Sequence, residues 1–310
     1  MSIRFAARLW LVAGLVALLG PAVAFAQVKL EHKQVEGATY ASSVDVSTKQ
    51  TMTILGMNQE SSSQNNIVVR TKNGKREADG TLRSESKVEA LQAQIKAPGL
   101  GEISFDSAKP DKAPDSPLTP IFKASAAGSW TTVYGKDGKV TAVEGRDKSY
   151  ESLDPALRER VKGQYAPEYL KEAANKQLER IPSKPLNVGD SWELVEPMKI
   201  DAAQTLTFTR KYTYQGEVEK DGKKVDAIKV VSTAVKLDID GNAGLPLKLV
   251  KSNLKIKDSS GTIYFDRNLG RVVGESQKSQ IVGPLTLGVA GQEIDAELDL
   301  TLETSAMDRN

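Results

Sequence analysis

Carboxylates at the ends of strand-like segments are the first residues in this sequence that could do chemistry. Asp266 closes the hydrophobic alternation of GTIYFD (261–266), and Asp106 closes the similar GEISFD (101–106). Such an aspartate could be a general acid or base, or it could cap the turn that follows. The turn interpretation is favoured, because Asp266 is followed by Arg-Asn-Leu and then Gly270, which can supply a positive φ. The repeated hexapeptide also fits a chain built from two halves.

Nucleophilic catalysis would need a serine or cysteine with a base beside it. GDSW (189–192) looks like the start of a serine esterase motif, but no histidine follows Trp192 to take the serine proton. We therefore interpret it as a turn that leads into a strand, with Trp192 in the core. The only histidine, His32, lies near the N-terminus, and we interpret it as a solvated side chain of a loosely held segment.

Metal and cofactor chemistry finds little support. One histidine and no cysteine leave no structural zinc site and exclude most haem and thiol chemistry. LDIDGNAGL (237–245) resembles a calcium loop, but it lacks the spacing and the final glutamate of one, so a turn is favoured. No phosphate-binding or dinucleotide-binding glycine motif is present. No carboxylate pair stands out among the 40 acids, so we predict no catalytic residue, no metal ligand and no cofactor.

The N-terminal segment predicts export. Arg4 and Arg8 precede an apolar run (9–19), and Gly-Pro and the triplet Ala24–Ala26 follow. This pattern is typical of a signal peptide cleaved between Ala26 and Gln27, and the run is too short for a membrane span. Removing the two arginines leaves 40 basic against 40 acidic residues, which offers no electrostatic footprint for nucleic acid. We expect a periplasmic or extracellular protein with no stable transmembrane anchor.

Most of the remaining chain alternates with a period of two. Residues 293–303 alternate acidic and apolar side chains, which is typical of an antiparallel strand with one solvated face. Residues 206–214 and 225–239 form a second pair of such runs around an Asp-Gly, the strongest short hairpin signal. Residues 86–96 fit a strand or a helix, and a strand is favoured. Turns are predicted at Asp137, Gly138, Asp221, Gly222, Asp266 and Gly270.

The middle of the sequence is different. Asp154-Pro155 and Pro167 each open a run of helix-forming residues, so two central helices are predicted around 154–179. The Pro-rich segment 107–122 is interpreted as an extended connector or exposed loop.

These elements predict a mainly β (α+β) fold with two halves of antiparallel meander sheet. A curved half-barrel is one form that such a sheet could take. We divide the chain into the signal peptide (1–26), an N-terminal β half (27–145), a helical and Pro-containing connector (146–192) and a C-terminal β half (193–310). Residues 27–310 are expected to form one compact unit.

Several segments together resemble a family of exported bacterial proteins, found largely in planctomycetes, whose function is unknown. The resemblance is carried by YASSVDVSTKQTMTILG, GEISFDS, GSWTTVYGKDGKVTAVEG, IPSKPLNVGDSW and GTIYFDRNLGRVV. It implies no catalytic residues. The implied architecture looks similar to the half-barrels of periplasmic lipoprotein-localisation carriers, whose concave apolar face shelters acyl chains.

Three functions remain open from the sequence. The favoured one is a non-enzymatic exported protein that binds a lipid or another hydrophobic molecule on a concave β surface. Leu206, Phe208, Leu298 and Leu300 are the candidate ligand-facing residues. The alternative is a structural or interaction module of the periplasm or cell surface whose partner is an envelope protein. A hydrolase is the least favoured.

Overall fold

The computed structural model describes residues 27–200, 204–239, 247–289 and 291–309. The predicted signal peptide, with Ala26 of its cleavage site, lies outside the described residues, as do residues 240–245 of the calcium-like stretch. The strands are β1 (Thr39–Ile54), β2 (Met57–Arg76), β3 (Leu82–Ala97), β4 (Gly101–Asp106), β5 (Ser129–Tyr134), β6 (Val140–Glu144), β7 (Ser191–Lys199), β8 (Gln204–Lys220), β9 (Lys223–Ile239), β10 (Leu247–Ser252), β11 (Lys255–Asp266), β12 (Arg271–Val289) and β13 (Gln292–Arg309). The α-helices are α1 (Thr119–Ala126), α2 (Pro155–Tyr165) and α3 (Pro167–Glu179).

All these strands belong to one antiparallel sheet. Its order is β6-β5-β3-β2-β1-β13-β12-β11-β9-β8-β7, with β4 added to β3 and β10 added to β12. The first and last strands join the two halves, because β1 pairs with β13 from Ala41 opposite Arg309 to Ile54 opposite Ala296. The prediction of a mainly β, antiparallel fold is confirmed. The ambiguous segment 86–96 lies within strand β3.

One face of the sheet is apolar and buried, and we call it the inner face. Side chains alternate between the two faces of a strand, so every second residue of β8 points inward. Those inward residues are Leu206, Phe208, Arg210, Tyr212 and Tyr214, and none is more than 7% exposed.

The sheet does not close into a barrel, since β6 and β7 are edge strands that do not pair with each other. Helices α2 and α3 contact both edges. Asn175 of α3 bonds to the backbone N–H and C=O of Val140 on β6, at 2.9 and 2.8 Å. On the β7 side, Gln164 donates to the carbonyl of Ile200 at 2.6 Å, and the Tyr169 hydroxyl accepts from the N–H of Lys199 at 3.3 Å. We call α2 and α3 the helical bridge.

The two predicted central helices are confirmed. Asp154 accepts hydrogen bonds at 3.0 Å from the backbone N–H groups of Ala156 and Leu157, and Pro155 follows at the first helical position. This is the expected N-cap chemistry of such a helix start.

The interpretation of 107–122 as extended connector or loop is wrong in part. Pro110–Lys112 form a 3-10 turn, and α1 begins at Thr119 with Pro120 in its first turn. The helix forms because its side chains find a surface on the sheet: Phe122 packs against Phe105 of β4 with ring centroids 5.6 Å apart. Tertiary packing of this kind commonly stabilises a short helix that its local sequence does not announce.

Asp266 acts as a turn cap. Its carboxylate accepts bonds from the N–H groups of Asn268 and Leu269 at 2.8 and 3.0 Å, and Gly270 has a φ of 65°. Asp106 accepts in the same way from Ala108 at 2.9 Å, although β4 and β11 occupy different places in the sheet. Local hydrogen bonding therefore accounts for both aspartates.

The other predicted turns also have local explanations. Asp221 and Gly222 have φ angles of 51° and 73°, as a two-residue type I′ hairpin requires. Asp137 accepts from the N–H of Lys139 at 3.1 Å, and Gly138 has a φ of 78°. In GDSW, Asp190 accepts from the N–H of Asn187 at 2.8 Å and Ser191 is exposed at the start of β7.

Candidate ligand-binding site

A large aliphatic cluster occupies one end of the inner face in the C-terminal half. All its side chains come from strands or strand ends, and none from a helix. We call this cluster the apolar end; its buried members are Leu206, Phe208, Leu237, Ile281, Leu285, Leu287, Ala296, Leu298, Leu300 and Leu302, with Val46, Met52, Ile54, Met198, Val235, Ile239, Leu249, Leu254 and Ile256 packed around them.

The structure brings the four predicted ligand-facing residues together in the apolar end. Leu206 and Phe208 are 1% and 0% exposed, and Leu298 and Leu300 are 6% and 8% exposed. Their surfaces are covered by neighbouring side chains, so in this conformation they are core residues rather than the walls of an open cavity.

Two clefts of several hundred Å³ lie elsewhere on the described part of the chain. One of about 600 Å³ is on the opposite face of the sheet and is lined by polar residues such as Ser47, Ser276 and Glu303. Another of about 390 Å³ lies between the N-terminal segment and α3, beside His32 and Tyr134. None of the four predicted residues lines either cleft. At the apolar end the four residues are buried among neighbouring side chains, and a ligand cavity there stays a prediction.

A band of polar side chains forms the floor of the apolar end. We call it the polar belt. It consists of Arg180, Glu196, Arg210, Tyr212, Ser232, Glu275, Gln277 and Ser279. It separates the apolar end from a second apolar cluster, which contains Leu30, Ile181, Tyr214, Ile228 and Phe265.

Glu196 is the centre of the polar belt. Arg180 donates to its two oxygens at 2.9 and 3.1 Å, Tyr212 donates at 2.6 Å, and Arg210 forms an ion pair with it. Arg180 also reaches Glu275 at 3.1 Å. Because Arg180 is the C-cap of α3, the belt ties the helical bridge to β7 and β12.

The electrostatics of the belt keep Glu196 ionised. Burial raises the pKa of this carboxyl group, but Arg180, Arg210 and the Tyr212 hydrogen bond together lower it by more. Its pKa therefore lies below the ordinary value. Burial raises the pKa of Tyr212, which therefore stays a hydrogen-bond donor. Two arginines face two glutamates, so the belt is balanced in charge.

Arg210 has one N–H group that its ion pair with Glu196 does not use. Its side chain is 7% exposed and its guanidinium carbon lies 4.7 Å from the centre of the Phe208 ring. Its Nε–H has no hydrogen-bond partner among the described residues. A buried unpaired donor costs stability unless an acceptor reaches it. This one lies next to Phe208, at the floor of the apolar end.

Exposed apolar side chains lie at the end of the sheet that carries the apolar end. Leu55 lies in the β1–β2 turn with 76% exposure and Met57 follows the turn with 63%, Ile200 follows β7 with 44%, and Val250 on β10 has 50%. The antiparallel register places these four segments at the same end of the sheet. We call these four residues the rim.

The solvated interpretation of His32 is wrong. The segment before β1 is held by pairing of Val28 with Leu186 and by a 2.8 Å bond from Lys33 N–H to the Gly270 carbonyl. The His32 ring is half-buried and packs edge-on against Phe265, with centroids 5.5 Å apart. Its Nε2 has no hydrogen-bond partner among the described residues.

The pKa of His32 should be measurably low. Burial lowers it, and a hydrogen bond with the backbone of Leu178 opposes this only in part. An NMR titration of the single imidazole should therefore give a midpoint below about 6.5. Since the folded-state pKa is the lower one, this group's contribution to stability is complete above about pH 6.5 and is lost as the pH falls. A midpoint at or above that of a denatured control would contradict the burial described here.

Neither a metal-binding cluster nor a helix suited to a membrane crossing is found within the described ranges. No group of three or more His, Asp or Glu side chains there is arranged to hold a metal ion. Within the same ranges, no helix combines the length and apolar character that a membrane crossing needs.

The fold is an open antiparallel sheet with a helical bridge between its edges. The chain belongs to a Family of unknown function (DUF6263), whose sequence model matches residues 79–270. The resemblance inferred from the motifs is confirmed at the level of a family of unknown function; planctomycete origin and export stay predictions. No curated protein matches the sequence significantly.

Solved structures give distant likenesses. A lipovitellin structure on lipid–protein interactions aligns with 10% identity and a TM-score of 0.42, covering 90% of this chain and 26% of that one. DynF from the dynemicin biosynthesis pathway of Micromonospora chersina aligns with 10% identity and a TM-score of 0.21. The alignment covers 91% of this chain and 85% of the DynF chain. OprG, an outer membrane protein of Pseudomonas aeruginosa, aligns with 7% identity and a TM-score of 0.22. The alignment covers 91% of this chain and 100% of the OprG chain. The chain spans about a quarter of the lipovitellin chain, and these likenesses are too distant to indicate a function.

Proposed function

We propose that this chain is a non-catalytic, exported binding protein of the cell envelope that holds the apolar part of a lipid-like molecule at the apolar end. The observation that carries the proposal is the apolar end itself. A strand-built aliphatic cluster lies between the polar belt and the exposed apolar rim. Such a combination can bury an acyl chain and still orient its polar group.

The open sheet offers a route for the ligand. Edge strands β6 and β7 are connected through the helical bridge rather than through strand pairing. A ligand can therefore enter by moving a few polar contacts and repacking aliphatic side chains, with no sheet hydrogen bonds broken. Arg210 Nε–H would then meet a carbonyl or carboxyl oxygen of the ligand.

A second candidate is a structural or interaction module of the envelope. It is favoured by the burial of four side chains of the apolar end. Each of them is 8% exposed or less: Leu206, Phe208, Leu298 and Leu300. Under this alternative the apolar end is a permanent core, and only the surface of the protein meets a partner.

The first test is native mass spectrometry of the protein purified without detergent from an exporting host, followed by solvent extraction of any adduct. Delipidated protein is then titrated with dansyl-aminoundecanoic acid, a fluorescent acyl probe. Two matched variants are compared. One is Phe208→Leu in the apolar end, and the other is Phe105→Leu on β4, where the ring packs against Phe122 of α1. Both rings are buried strand residues, 0% and 4% exposed.

The proposal expects a stoichiometric hydrophobic adduct and probe affinity that changes severalfold in Phe208→Leu but not in Phe105→Leu. A bare mass together with absent probe binding would favour the interaction module. Equal effects of the two variants would place the probe outside the apolar end.

A further inference from the structure

We propose that the cleft between the N-terminal segment and α3 binds a small aromatic carboxylate. We call it the lower cleft. Its volume is about 390 Å³, and its lining includes His32, Tyr40, Tyr134, Leu178 and Arg271. It is a second site, because it shares no residue with the apolar end.

The register of the sheet places the lower cleft far from the apolar end. Tyr40 lies at the beginning of β1, opposite Thr71, and Arg271 is the first residue of β12. The apolar end uses the other ends of the same strands, with Ile54 on β1 and Leu287 on β12. At about 3.3 Å per residue, Tyr40 and Ile54 are about 45 Å apart along the strand. A small ligand in one site therefore does not touch the other.

Hydrogen bonds hold the segment before β1 on both sides of the cleft. On one side, the N–H of Lys33 donates to the carbonyl of Gly270 at 2.8 Å. On the other side, the side chain of Asn73 donates to the carbonyl of Val35 at 2.9 Å. Glycine allows the first contact, because a Cβ at position 270 would lie 2.4 Å from the Cβ of Lys33. The cleft is therefore preformed, as most small-molecule sites are.

Part of the lining suits an apolar ring system. It consists of the rings of Tyr40 and Tyr134 and the aliphatic side chains of Val140, Leu178 and Val272. A cavity of about 150 Å³ holds one benzene ring. The lower cleft, at about 390 Å³, is large enough for a two-ring body with a polar group attached.

The rest of the lining offers hydrogen-bond donors. The Tyr134 hydroxyl has no hydrogen-bond partner among the described residues, and burial raises its pKa to about 12, so it stays protonated. The Arg271 guanidinium stacks on the Tyr40 ring at 4.3 Å and donates to Asp308 through Nη1 at 2.5 Å. A guanidinium has five N–H donors, so Arg271 can still donate to a further acceptor.

The charges of the lower cleft favour a single anionic group. Lys33 and Arg271 line it, and none of its described lining residues is Asp or Glu. Asp308 offsets the charge of Arg271, whereas Lys33 Nζ donates to a neutral carbonyl, that of Arg267, at 2.9 Å. One positive charge is therefore left without an acidic partner in the cleft. This surplus matches a monocarboxylate, which forms strong charge-assisted hydrogen bonds with such donors.

His32 makes binding in the lower cleft directly observable. It is the only histidine of the sequence, and it lines the cleft. Its ring has a hydrogen bond with the backbone of Leu178, while its Nε2 is unpaired among the described residues. A carboxylate bound beside the ring favours the imidazolium form. Binding should therefore shift the imidazole signals and raise the pKa of His32.

The test is a titration of the purified protein with 2-naphthoate, followed through the imidazole signals of His32 by NMR. The matched neutral probe is 2-naphthalenemethanol, which has the same rings and no charge. We expect a saturable shift with 2-naphthoate and at least tenfold weaker binding of the alcohol.

Two variants probe the lining of the cleft. Tyr134→Phe, which removes only a hydroxyl, should weaken 2-naphthoate binding severalfold. Ala174→Leu should abolish it, because the larger side chain on α3 fills the cleft. Leucine is a good helix former, so α3 should persist. Tyr134→Phe retains the shape of the cleft and tests the proposal even if Ala174→Leu does not fold.

Tyr264→Phe is the matched control, since it removes the same hydroxyl from a residue of β11 that does not line the cleft. Its affinity for 2-naphthoate should equal that of the parent. Equal affinity of the parent for the two probes, or full binding by folded Ala174→Leu, would overturn the proposal.

Phe208→Leu distinguishes this site from the apolar end. It should leave 2-naphthoate binding unchanged while it alters binding of the acyl probe. Loss of 2-naphthoate binding in Phe208→Leu would overturn the proposal, because the ligand would then occupy the apolar end. Each site has its own probe, so failure of this proposal and failure of the proposed function are distinguishable.

Discussion

Glu196→Ala should reduce the free energy of unfolding by about 3–5 kcal/mol, since removing one partner of a buried ion pair leaves the other charge uncompensated. The substitution leaves Arg210, which is 7% exposed, without its carboxylate partner, and it removes the acceptor of the Tyr212 hydroxyl. Arg180 keeps Glu275, so the helical bridge should loosen at β7 rather than detach. Urea denaturation followed by circular dichroism measures the loss.

The control for this prediction is Glu303→Ala. Glu303 pairs with Lys278 across two strands at 2.8 Å, but both side chains are about half exposed. An exposed pair of this kind contributes about 0–1 kcal/mol. Equal losses for the two variants would contradict the central role of Glu196.

The pH dependence of the Glu196 contribution has a defined sign. Its pKa in the folded protein lies below the ordinary value, because the arginines and Tyr212 outweigh the effect of burial. Its stabilising contribution is therefore complete above the unfolded-state pKa of about 4.3 and is lost as the pH falls through the folded-state value. The stability difference between the parent and Glu196→Gln should shrink in acid.

Phe208→Ala should reduce the free energy of unfolding by about 3–5 kcal/mol, the usual cost of deleting a fully buried aromatic ring. The ring is 0% exposed and lies between the aliphatic side chains of the apolar end and the Arg210 guanidinium. Its removal therefore leaves a cavity and uncovers the polar belt. Thermal and urea unfolding measure the effect.

Val195→Ala is a suitable comparison, because Val195 on the edge strand β7 is 57% exposed and its truncation should change stability by about 0.5 kcal/mol or less. A loss below about 1 kcal/mol for Phe208→Ala would mean that the ring faces open space. If the acyl probe partly restores the free energy of unfolding that Phe208→Ala loses, this would support binding of a ligand in the volume that the ring vacates.

The sequence by itself determined the local elements of this protein. Alternation in 206–214 and 293–303, the Asp-Gly turn at 221–222 and the Asp154-Pro155 helix start each depend on residues close in the chain, and each has its structural counterpart. The burial of Leu206 and Leu298 on one face followed from the same period. Short-range sterics and hydrogen bonding suffice for such features.

Only the tertiary structure decided which distant residues meet. The pairing of β1 with β13, the burial of His32 and the convergence of Arg180, Glu196 and Glu275 depend on segments far apart in the chain, and no local pattern encodes that contact. The helix α1 forms because Phe122 finds Phe105. The positive φ of 51° at Leu55 also depends on the tertiary structure. A leucine beside a glycine has no conformational requirement of its own. The pairing of β1 with β2 leaves only these two residues to form the turn, and this imposes the positive φ.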